Sequence, residues 1–260
     1  MISIIIPTYN EEKRIGTLLE SINNQTYKDY EIMVSDSEST DRTVEIAEKM
    51  GATVIKGPKE GVSIGRNLGA KHAKGDIFLF LDADTKIPPN FLEKHVTNFR
   101  KRGLGVSTTS VDHLDGNFLD RFGLEMYNLF QHIYQFHDPH AGGWCIFVTK
   151  EVFNKVGGFD PSIKLAEDHA FARQSRRHGR FRVMTGPRVQ MSTRRFQDEG
   201  RLKMALILLG GLLHRTFLGE VRHDKFRWEV GESKEKSHIS ENPTADSHKI
   251  ADIEREGKKR

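Results

Sequence analysis

Phe78-Leu-Phe-Leu-Asp-Ala-Asp84 is a stretch in which an apolar run ends in two carboxylates, two residues apart. Alternate residues of an extended strand point to the same side, so Asp82 and Asp84 are predicted to project together from the end of a buried strand. Ala83 is predicted to turn back toward the packing. Two oxygen ligands that converge at a strand end suit a divalent cation such as Mg²⁺ or Mn²⁺. The pair therefore indicates a site for a phosphorylated donor substrate.

The length and composition limit the class of protein. A chain of 260 residues is enough for one large α/β domain or two small ones. The single cysteine, Cys145, excludes an internal disulfide framework and fits a reducing compartment. No charged and then apolar leader precedes the first strand, so we expect a cytoplasmic protein. The longest apolar stretch, Met204 to Leu213, is much shorter than the roughly 20 residues of a spanning helix.

A basic region lies in the second half of the chain. Between Arg176 and Lys203 there are nine arginines and lysines against Asp198 and Glu199, and nine minus two is a net charge of +7. The whole chain carries only +4. Such a region attracts phosphates or an anionic membrane surface. The alternative, a solvated face, is the commoner meaning of a charge cluster.

Short apolar runs alternate with helical patterns in the first half of the chain. Strands that alternate with helices of this length predict a parallel sheet covered on both faces. Ligands of such sheets lie beyond the carboxyl ends of the strands. The predicted strands are 2–6, 31–34, 53–55 and 77–81, and the predicted helices are 11–23, a segment after Asp41 that ends at Lys49, and 62–73.

The second half has a less regular pattern. In 117–136 the apolar residues recur every three or four positions, which predicts an amphipathic helix. Its aromatic residues Phe118, Phe122, Phe130 and Tyr134 are interpreted as core, and an acceptor groove is the alternative. The helix predicted over 201–218 is apolar nearly all round, which indicates burial or membrane contact. The remaining predicted elements are helices 90–102, 152–156 and 166–178 and strands 105–110, 144–148 and 181–184.

Six short motifs occur in one order along the chain, and together they resemble the family 2 glycosyltransferases. The resemblance runs from Ile2 to about Phe196. Each motif alone is weak, but each lies at a predicted strand or helix end. The motifs are Ile4-Ile-Ile-Pro-Thr-Tyr-Asn-Glu-Glu12, Ser35-Asp-Ser-Glu-Ser-Thr-Asp41, Arg66-Asn-Leu-Gly-Ala70, Asp82-Ala-Asp84, Gly142-Gly143 with Val156-Gly-Gly-Phe-Asp160, and Glu167-Asp168.

The resemblance implies an α/β fold of the GT-A type, which is Rossmann-like, with a mostly parallel central sheet flanked by helices. The domain would span 1–222, with a nucleotide-binding half at 1–110 and an acceptor half at 111–222. A C-terminal apolar helix would close it, and the polar segment 223–260 is predicted to be a disordered tail. The implied activity is a metal-dependent, inverting transfer of a sugar. Because the chain lacks a Gln-x-x-Arg-Trp element, a non-processive enzyme is expected.

The resemblance also implies the donor-binding residues. The donor would be a nucleotide-diphospho-sugar, with UDP or GDP as the nucleotide, and Mn²⁺ or Mg²⁺ would be the cofactor. Asp36 has a second interpretation, the cap of the following helix, although Asp41 suits that cap better. Arg66 could instead form a surface salt bridge. In the implied assignment, Pro7, Tyr9, Glu11 and Asp36 hold the base and ribose, Arg66 the diphosphate, Asp84 the metal, and Asp82 the ribose or the metal's hydration shell.

On the acceptor side, the resemblance implies that Asp168 is the general base. The alternative is that Asp168 only begins a helix favourably for the helix dipole. Glu167 is expected to orient a neighbour. Trp144 either stacks on a sugar or packs in the core. Arg194 and Arg195 are expected at the diphosphate or an acceptor phosphate, or else as a solvated loop pair.

Two kinds of acceptor fit the sequence. A basic region followed by an apolar helix suits a lipid-phosphate or lipid-linked acceptor, with peripheral contact at the cytoplasmic face of a membrane. A soluble sugar acceptor, with the helix packed on the domain, is the alternative. Two other functions stay open, a sugar nucleotidyltransferase and a non-catalytic module that binds sugar nucleotides. No nucleic-acid partner is expected.

Overall fold

The computed structural model describes residues 1–198 and 200–222. The predicted disordered tail lies outside these residues. The elements are β1 (Ile2–Thr8), α1 (Ile15–Asn23), β2 (Tyr30–Asp36), α2 (Thr43–Lys49), β3 (Thr53–Lys56), α3 (Val62–His72), β4 (Ile77–Phe80), β5 (Thr85–Lys86), α4 (Phe91–Lys101), β6 (Val106–His113), α5 (Phe118–Tyr134), β7 (Ile146–Thr149), α6 (Lys150–Val156), α7 (Glu167–Ser175), β8 (Phe181–Met191), α8 (Arg194–Asp198) and α9 (Arg201–Leu218).

The described strands form one sheet in the order β3-β2-β1-β4-β7-β6-β8-β5. The four strands β3, β2, β1 and β4 are parallel, and β6 pairs with β8 in parallel. Only β7 and β5 run antiparallel to their neighbours. The mostly parallel sheet predicted from the alternating pattern is therefore confirmed. The division into halves at residue 110 stays a prediction.

Both faces of the sheet are covered, as the continuous apolar strands require. In β1, Ile4 and Ile6 belong to one buried cluster and Ile5 belongs to the other. In β4, Leu79 and Phe80 are divided between the clusters in the same way. Each large apolar side chain that is fully buried contributes about 1.5–3 kcal/mol. This packing holds the carboxyl ends of β1, β2 and β4 at one rigid edge.

The first helix begins later than predicted. α1 starts at Ile15, and its buried side chains recur at helical spacing. The residues before it form a turn in which the Arg14 amide donates to the Glu11 carbonyl over 2.9 Å. The Glu11 amide in turn donates to the hydroxyl of Thr43, at 2.8 Å. This loop is therefore held against the start of α2 rather than being part of α1.

Strand β8 is longer than predicted, and this changes the site. The sequence predicts a strand over 181–184, whereas β8 continues to Met191. A register shift between Thr109 and Val111 of β6 accompanies the extension. The end of β8 pairs with the two-residue strand β5, which was not predicted. The chain after Met191 is thereby brought next to Asp84.

Helix α5 packs the other way round from the prediction. The interpretation of Phe118 and Phe122 as core is wrong, because these side chains are 79% and 58% exposed. The inward side carries polar residues instead, because they bond to backbone groups of the sheet. The Asn128 amide bonds both the N–H and the C=O of Val111, at 2.9 and 2.8 Å. Phe130 and Tyr134 are half-buried and stack with their ring centroids 4.8 Å apart.

Helix α9 is confirmed over the predicted residues, but it is not buried all round. Met204 and Arg215 face the domain, whereas Leu202 and Phe217 are strongly exposed. None of the helices in the described part of the chain reaches the length and apolarity of a membrane span.

Candidate active site

Three loops meet at the carboxyl edge of the parallel strands, as the strand order predicts. Thr8 at the end of β1 lies opposite Asp36 at the end of β2. The Thr8 hydroxyl donates to the Asp36 carboxylate, at 3.1 Å. On the other side of β1, β4 pairs in parallel and leads into Asp82. The sheet therefore places the predicted donor residues next to one another.

Asp36 holds the loop that follows β2. Its carboxylate is buried and accepts hydrogen bonds from the amide and the hydroxyl of Ser39, at 2.9 and 2.5 Å. Glu38 within the loop has a positive φ of 61°, which a non-glycine residue adopts only when its surroundings hold it there. Asp41 precedes α2 and accepts a hydrogen bond from the Thr43 amide at 2.9 Å, so Asp41 rather than Asp36 bonds to the first residue of the helix. The base-binding role of Asp36 stays a prediction.

Arg66 is the centre of the site. Its guanidinium is 2% exposed and donates to Asp82 Oδ1 over 2.9 Å and to Glu167 Oε1 over 2.7 Å. The alternative of a surface salt bridge is therefore wrong. Burial lowers the pKa of Arg66, but the charges of Asp82 and Glu167 outweigh burial and raise it. A permanently charged arginine thus joins the strand-end carboxylate to the start of α7.

Asp168 lies in the first turn of α7. Its two oxygens accept hydrogen bonds from the Gly143 amide at 2.6 Å and from its neighbour, the His169 amide, at 2.7 Å. Burial and the nearby charge of Glu167 raise the pKa of Asp168 to about 7. A carboxyl group with a pKa near the working pH is suited to accept a proton.

Gly143 explains why a Gly-Gly pair precedes β7. A Cβ atom at this position would lie 2.3 Å from Arg66 Nη2 and 2.9 Å from Asp82 Oδ2. Side-chain atoms do not approach that closely, so any larger residue would displace the arginine or the carboxylate. The glycine lets the backbone reach Asp168 from one side while Arg66 and Asp82 pack on the other.

A cavity of about 130 Å³ opens beside Asp84, and its lining includes Lys13, Arg14 and Asp115. The extended β8 forms one wall, because the Ser192 amide donates to the Asp84 carbonyl over 3.0 Å. The same extension brings the guanidinium of Arg194 to 4.0 Å from the Glu11 carboxylate. The cavity therefore combines cations with the predicted metal ligand.

Asp115 is a residue that the sequence analysis missed. Its carboxylate accepts hydrogen bonds from the Ser192 hydroxyl and from the amide and hydroxyl of Thr193, at 2.8, 2.7 and 3.0 Å. Burial raises the pKa of Asp115, but these hydrogen bonds outweigh burial and hold it below its usual value. Asp115 thus fastens the end of β8 over the cavity. The signal in the sequence was a carboxylate shortly after a strand, because Asp115 follows the end of β6.

The residues present fit a divalent cation that is held partly by its substrate. The described part of the chain contains no group of three or more His, Cys, Asp and Glu side chains placed to hold a metal. Asp84 and Asp82 offer carboxylates, and burial together with the charge of Asp84 raises the pKa of Glu11. That accumulation of negative charge is what a cation would offset. Mg²⁺ commonly binds through one or two carboxylates, with phosphates and water completing its shell.

The other predicted residues lie in different settings. Pro7 is on β1 against α3, where a Cβ on Gly65 would lie 3.2 Å from it. The ammonium of Lys59 is 3.9 Å from the centroid of the Tyr9 ring. Trp144 is half-buried and packs edge-on against Tyr127, with ring centroids 5.5 Å apart. The side chain of Arg195 lies outside the described part of the structure.

Behind Asp168 is a second group of residues that the sequence did not indicate. His169 Nδ1 is 2.9 Å from Nη1 of Arg215, which comes from α9. Since an arginine only donates, this ring nitrogen accepts and the proton is on Nε2, which faces the Tyr127 hydroxyl at 3.4 Å. Burial and nearby His140 and Arg215 hold the pKa of His169 well below its usual range. His169, which is neutral and follows Asp168 in α7, therefore links α5 and α9 to the helix that carries Asp168.

The sequence model of glycosyl transferase family 2 matches residues 3–157, which is more than half of the chain. The chain therefore belongs to glycosyl transferase family 2. The match covers the loops at the carboxyl edge, the Arg66 helix and the Asp82-Ala-Asp84 motif.

Three similar proteins illustrate this relationship. A glycosyltransferase of Haemophilus influenzae described as uncharacterized is 31% identical over 188 residues, which is 66% of this chain and 60% of that protein. The dolichol-phosphate mannosyltransferase of Pyrococcus furiosus is 40% identical over 99 residues, 36% of this chain and 28% of that protein. The chain thus spans only part of the length of the relatives it matches.

The third similar protein is a solved structure. The mannosyltransferase PcManGT from Pyrobaculum calidifontis was solved in complex with GDP-Man and Mn²⁺. It aligns with a TM-score of 0.63 and 24% identity, over 79% of this chain and 61% of that chain. This likeness confirms the predicted GT-A fold.

Proposed function

We propose that the protein is a metal-dependent, inverting glycosyltransferase that moves a sugar from a nucleotide-diphospho-sugar to an acceptor. The observation that carries this proposal is the buried Arg66, which joins Asp82 at the strand end to Glu167 beside Asp168. The strand end is the donor side of the proposed site, and Asp168 is on the acceptor side. Holding two substrates in a fixed relation is the main requirement of a transfer between them.

On the donor side, we assign Asp84 to direct coordination of Mn²⁺ or Mg²⁺ and Asp82 to the ribose or the hydration shell of the metal. The bound cation would neutralise the charge that the nucleoside diphosphate gains as it leaves. Arg66 and Arg194 supply further positive charge at the same edge. The loop from Pro7 to Glu11 and Asp36 would hold the base and ribose of a UDP- or GDP-sugar. The GDP-Man and Mn²⁺ of PcManGT support this assignment.

On the acceptor side, we assign Asp168 to the general base. The acceptor oxygen bonds to the anomeric carbon while the bond from that carbon to the diphosphate breaks, and Asp168 takes the hydroxyl proton. One displacement from the opposite face inverts the configuration. The pKa of about 7 and the two backbone hydrogen bonds of Asp168 suit this step.

For the acceptor, we favour a lipid phosphate or a lipid-linked sugar at the cytoplasmic face of a membrane. The name of the similar dolichol-phosphate mannosyltransferase supports this class. If the nucleophile is a lipid phosphate, it is already anionic, and Asp168 would position groups rather than accept a proton. A soluble sugar acceptor is the alternative.

The test of the donor site is a thermal-shift screen of UDP-, GDP- and dTDP-sugars with and without Mn²⁺. One nucleotide class should raise the melting temperature in the presence of metal, and Asp84→Ala should remove most of that shift. Glu151→Ala, which removes a carboxylate that is 74% exposed on α6, is the control and should keep the shift. Equal shifts with and without metal would contradict the metal assignment.

The test of the base uses the sugar nucleotide found in that screen. Asp168→Asn should retain donor binding and lose transfer to a hydroxyl acceptor by roughly 100-fold or more. Transfer to a lipid phosphate that survives in Asp168→Asn would show that the carboxylate only positions the acceptor. Loss of donor binding itself would contradict the assignment of Asp168 to the acceptor side.

A further inference from the structure

Helix α5 carries its polar side inward and its apolar side outward. The inward residues Asn128, Gln131 and Gln135 are buried and bond to backbone groups. For example, Gln135 accepts a hydrogen bond from the Val183 amide over 3.0 Å. These bonds determine which face is inside, so the apolar side has no place in the core. It forms the outer stripe of α5, made of Phe118, Phe122, Met126, Leu129 and Ile133 and continued by Phe136, with each side chain 50–79% exposed.

Helix α9 has the same arrangement. Met204, Gly211 and Arg215 face the domain, and a Cβ on Gly211 would lie only 2.7 Å from Leu165. Arg215 is tied to α7 by His169, and it also pairs at 3.1 Å with Glu220, which lies 3.5 Å from Arg173 of α7. The opposite side forms the outer stripe of α9, made of Leu202, Leu206, Leu209, Leu213 and Phe217, with each side chain 50–77% exposed.

The two helices are tied together, and their acidic side chains are neutralised. Asp120 of α5 accepts two hydrogen bonds from Arg201 of α9, at 2.8 and 2.9 Å. Glu125, the other acid of α5, pairs with Arg188. Helix α9 contains no Asp or Glu in its sequence. No unpaired carboxylate of α5 or α9 therefore lies beside the outer stripes.

Positive charge is concentrated where the outer stripe of α5 ends. The guanidinium of Arg182 lies 5.1 Å from the centroid of the exposed Phe136 ring, and Arg176 donates to the Phe136 carbonyl over 2.7 Å. Burial lowers the pKa of Arg182, and the charges of Arg180, Arg102 and Arg176 lower it further. These four arginines, which we call the arginine cluster, lie close enough to repel one another. Such a cluster next to an apolar surface fits an anionic partner.

We propose that the outer stripes of α5 and α9 dock on the surface of an anionic lipid bilayer, with the arginine cluster at the headgroups. Exposed apolar surface of this extent marks a binding site in a soluble domain. An apolar helix face with basic residues beside it lies in the plane of a bilayer interface. A second copy of this chain fits less well, since the chain and the cluster are both positively charged. The proposal goes beyond the transfer reaction, because docking needs neither donor nor acceptor.

The test is flotation of the full chain with vesicles. One set contains phosphatidylcholine alone, and the other contains phosphatidylcholine mixed with phosphatidylglycerol. The protein should float with the mixed vesicles, bind phosphatidylcholine vesicles much more weakly, and lose binding as salt is added. Failure to float with the anionic vesicles at low salt would overturn the proposal.

Matched variants separate the apolar contribution from folding. Phe122, Leu129 and Ile133 are replaced together by glutamine in one variant and by methionine, which has nearly the same size, in another. The glutamine variant should bind at least about tenfold more weakly, and the methionine variant should bind nearly as well as the wild type. Because the three positions are exposed, both variants should melt like the wild type. Equal binding by the two variants would contradict docking through the outer stripe of α5.

The same design tests the arginine cluster and the competing partner. Arg102→Gln with Arg180→Gln should weaken binding to anionic vesicles roughly twentyfold, whereas Lys49→Gln with Lys71→Gln, on α2 and α3, removes equal charge with little effect. Light scattering after size-exclusion chromatography gives the oligomeric state. A wild-type dimer that the glutamine variant converts to a monomer, without flotation of either, would assign the surface to self-association instead.

Discussion

Replacing Asp168 by asparagine tests the electrostatics of the site through protein stability. The pKa of Asp168 is raised from 3.8 to about 7, first by burial and then by Glu167. A carboxyl group whose pKa is higher in the folded protein keeps a proton that the unfolded protein releases. It therefore lowers the free energy of unfolding as the pH rises from the unfolded pKa to the folded pKa. The wild type should therefore lose stability through this group between about pH 4 and pH 7.

The size of this loss of stability depends on how much of the interval between the two pKa values lies within the pH range of the assay. Each pH unit is worth about 1.4 kcal/mol, and about two of these units lie between pH 5 and the folded pKa. The free energy of unfolding of Asp168→Asn, minus that of the wild type, should thus increase by roughly 3 kcal/mol from pH 5 to pH 8. Asparagine can accept only one of the two hydrogen bonds that Gly143 and His169 now donate, but it does so at both pH values.

The assay is urea unfolding of both full-length proteins at pH 5 and pH 8. Asp115→Asn is the control, because the pKa of Asp115 is lowered on folding and the group is ionised at both pH values. Its destabilisation should stay constant over the interval. If the difference between Asp168→Asn and the wild type does not change with pH, then Asp168 is ionised in the folded protein and the reasoning is refuted.

Three further predictions follow from single contacts. Gly143→Ala should displace Arg66 and reduce sugar transfer by roughly 100-fold in a kinetic assay, whereas Gly123→Ala, which meets no atom within 4 Å, should leave the rate unchanged. Arg66→Met should destabilise the protein by about 3–5 kcal/mol in urea unfolding, because Asp82 and Glu167 lose their counter-charge. A loss of stability below about 1 kcal/mol would mean that these ion pairs are exposed to solvent. Arg215→Met should increase amide hydrogen exchange in α9 and leave that of β4 unchanged, and equal exchange in α9 would refute the anchoring role.

Much of the donor edge could be predicted because its signals are local. The alternation of Ile and Phe runs with helical patterns predicts β1, β2 and β4, and the parallel topology then brings their carboxyl ends together. The two carboxylates at Asp82 and Asp84 lie two residues apart on one extended segment, so their shared direction follows from strand geometry. The Gly142-Gly143 pair also stood out, although only the structure explains it, through the approach of Arg66 and Asp82.

The contacts that join the two sides of the site could not be predicted. Arg66 and Glu167 are 101 residues apart. Asp115 and Thr193 are 78 residues apart, and Arg215 and His169 are 46 apart. No periodicity links such pairs, because they meet only after the sheet has formed. The strand β5 was missed for the same reason, since two residues become a strand only when β8 reaches them.

Helix α5 shows most clearly which features follow from the sequence and which depend on tertiary structure. The spacing of its apolar residues determines that Phe122 and Leu129 share one face, since this follows from 3.6 residues per turn. The inward face was decided by the side-chain oxygens of Asn128 and Gln135, which accept hydrogen bonds from backbone amides of β6 and β8. The positions of those strands in the sheet therefore set the orientation of the helix. The sequence thus determined most of the helices and strands and the carboxylate pair, whose causes act over a few residues. Tertiary structure alone decided which side chains surround Asp168 and which surface faces outward, because those depend on partners far away along the chain.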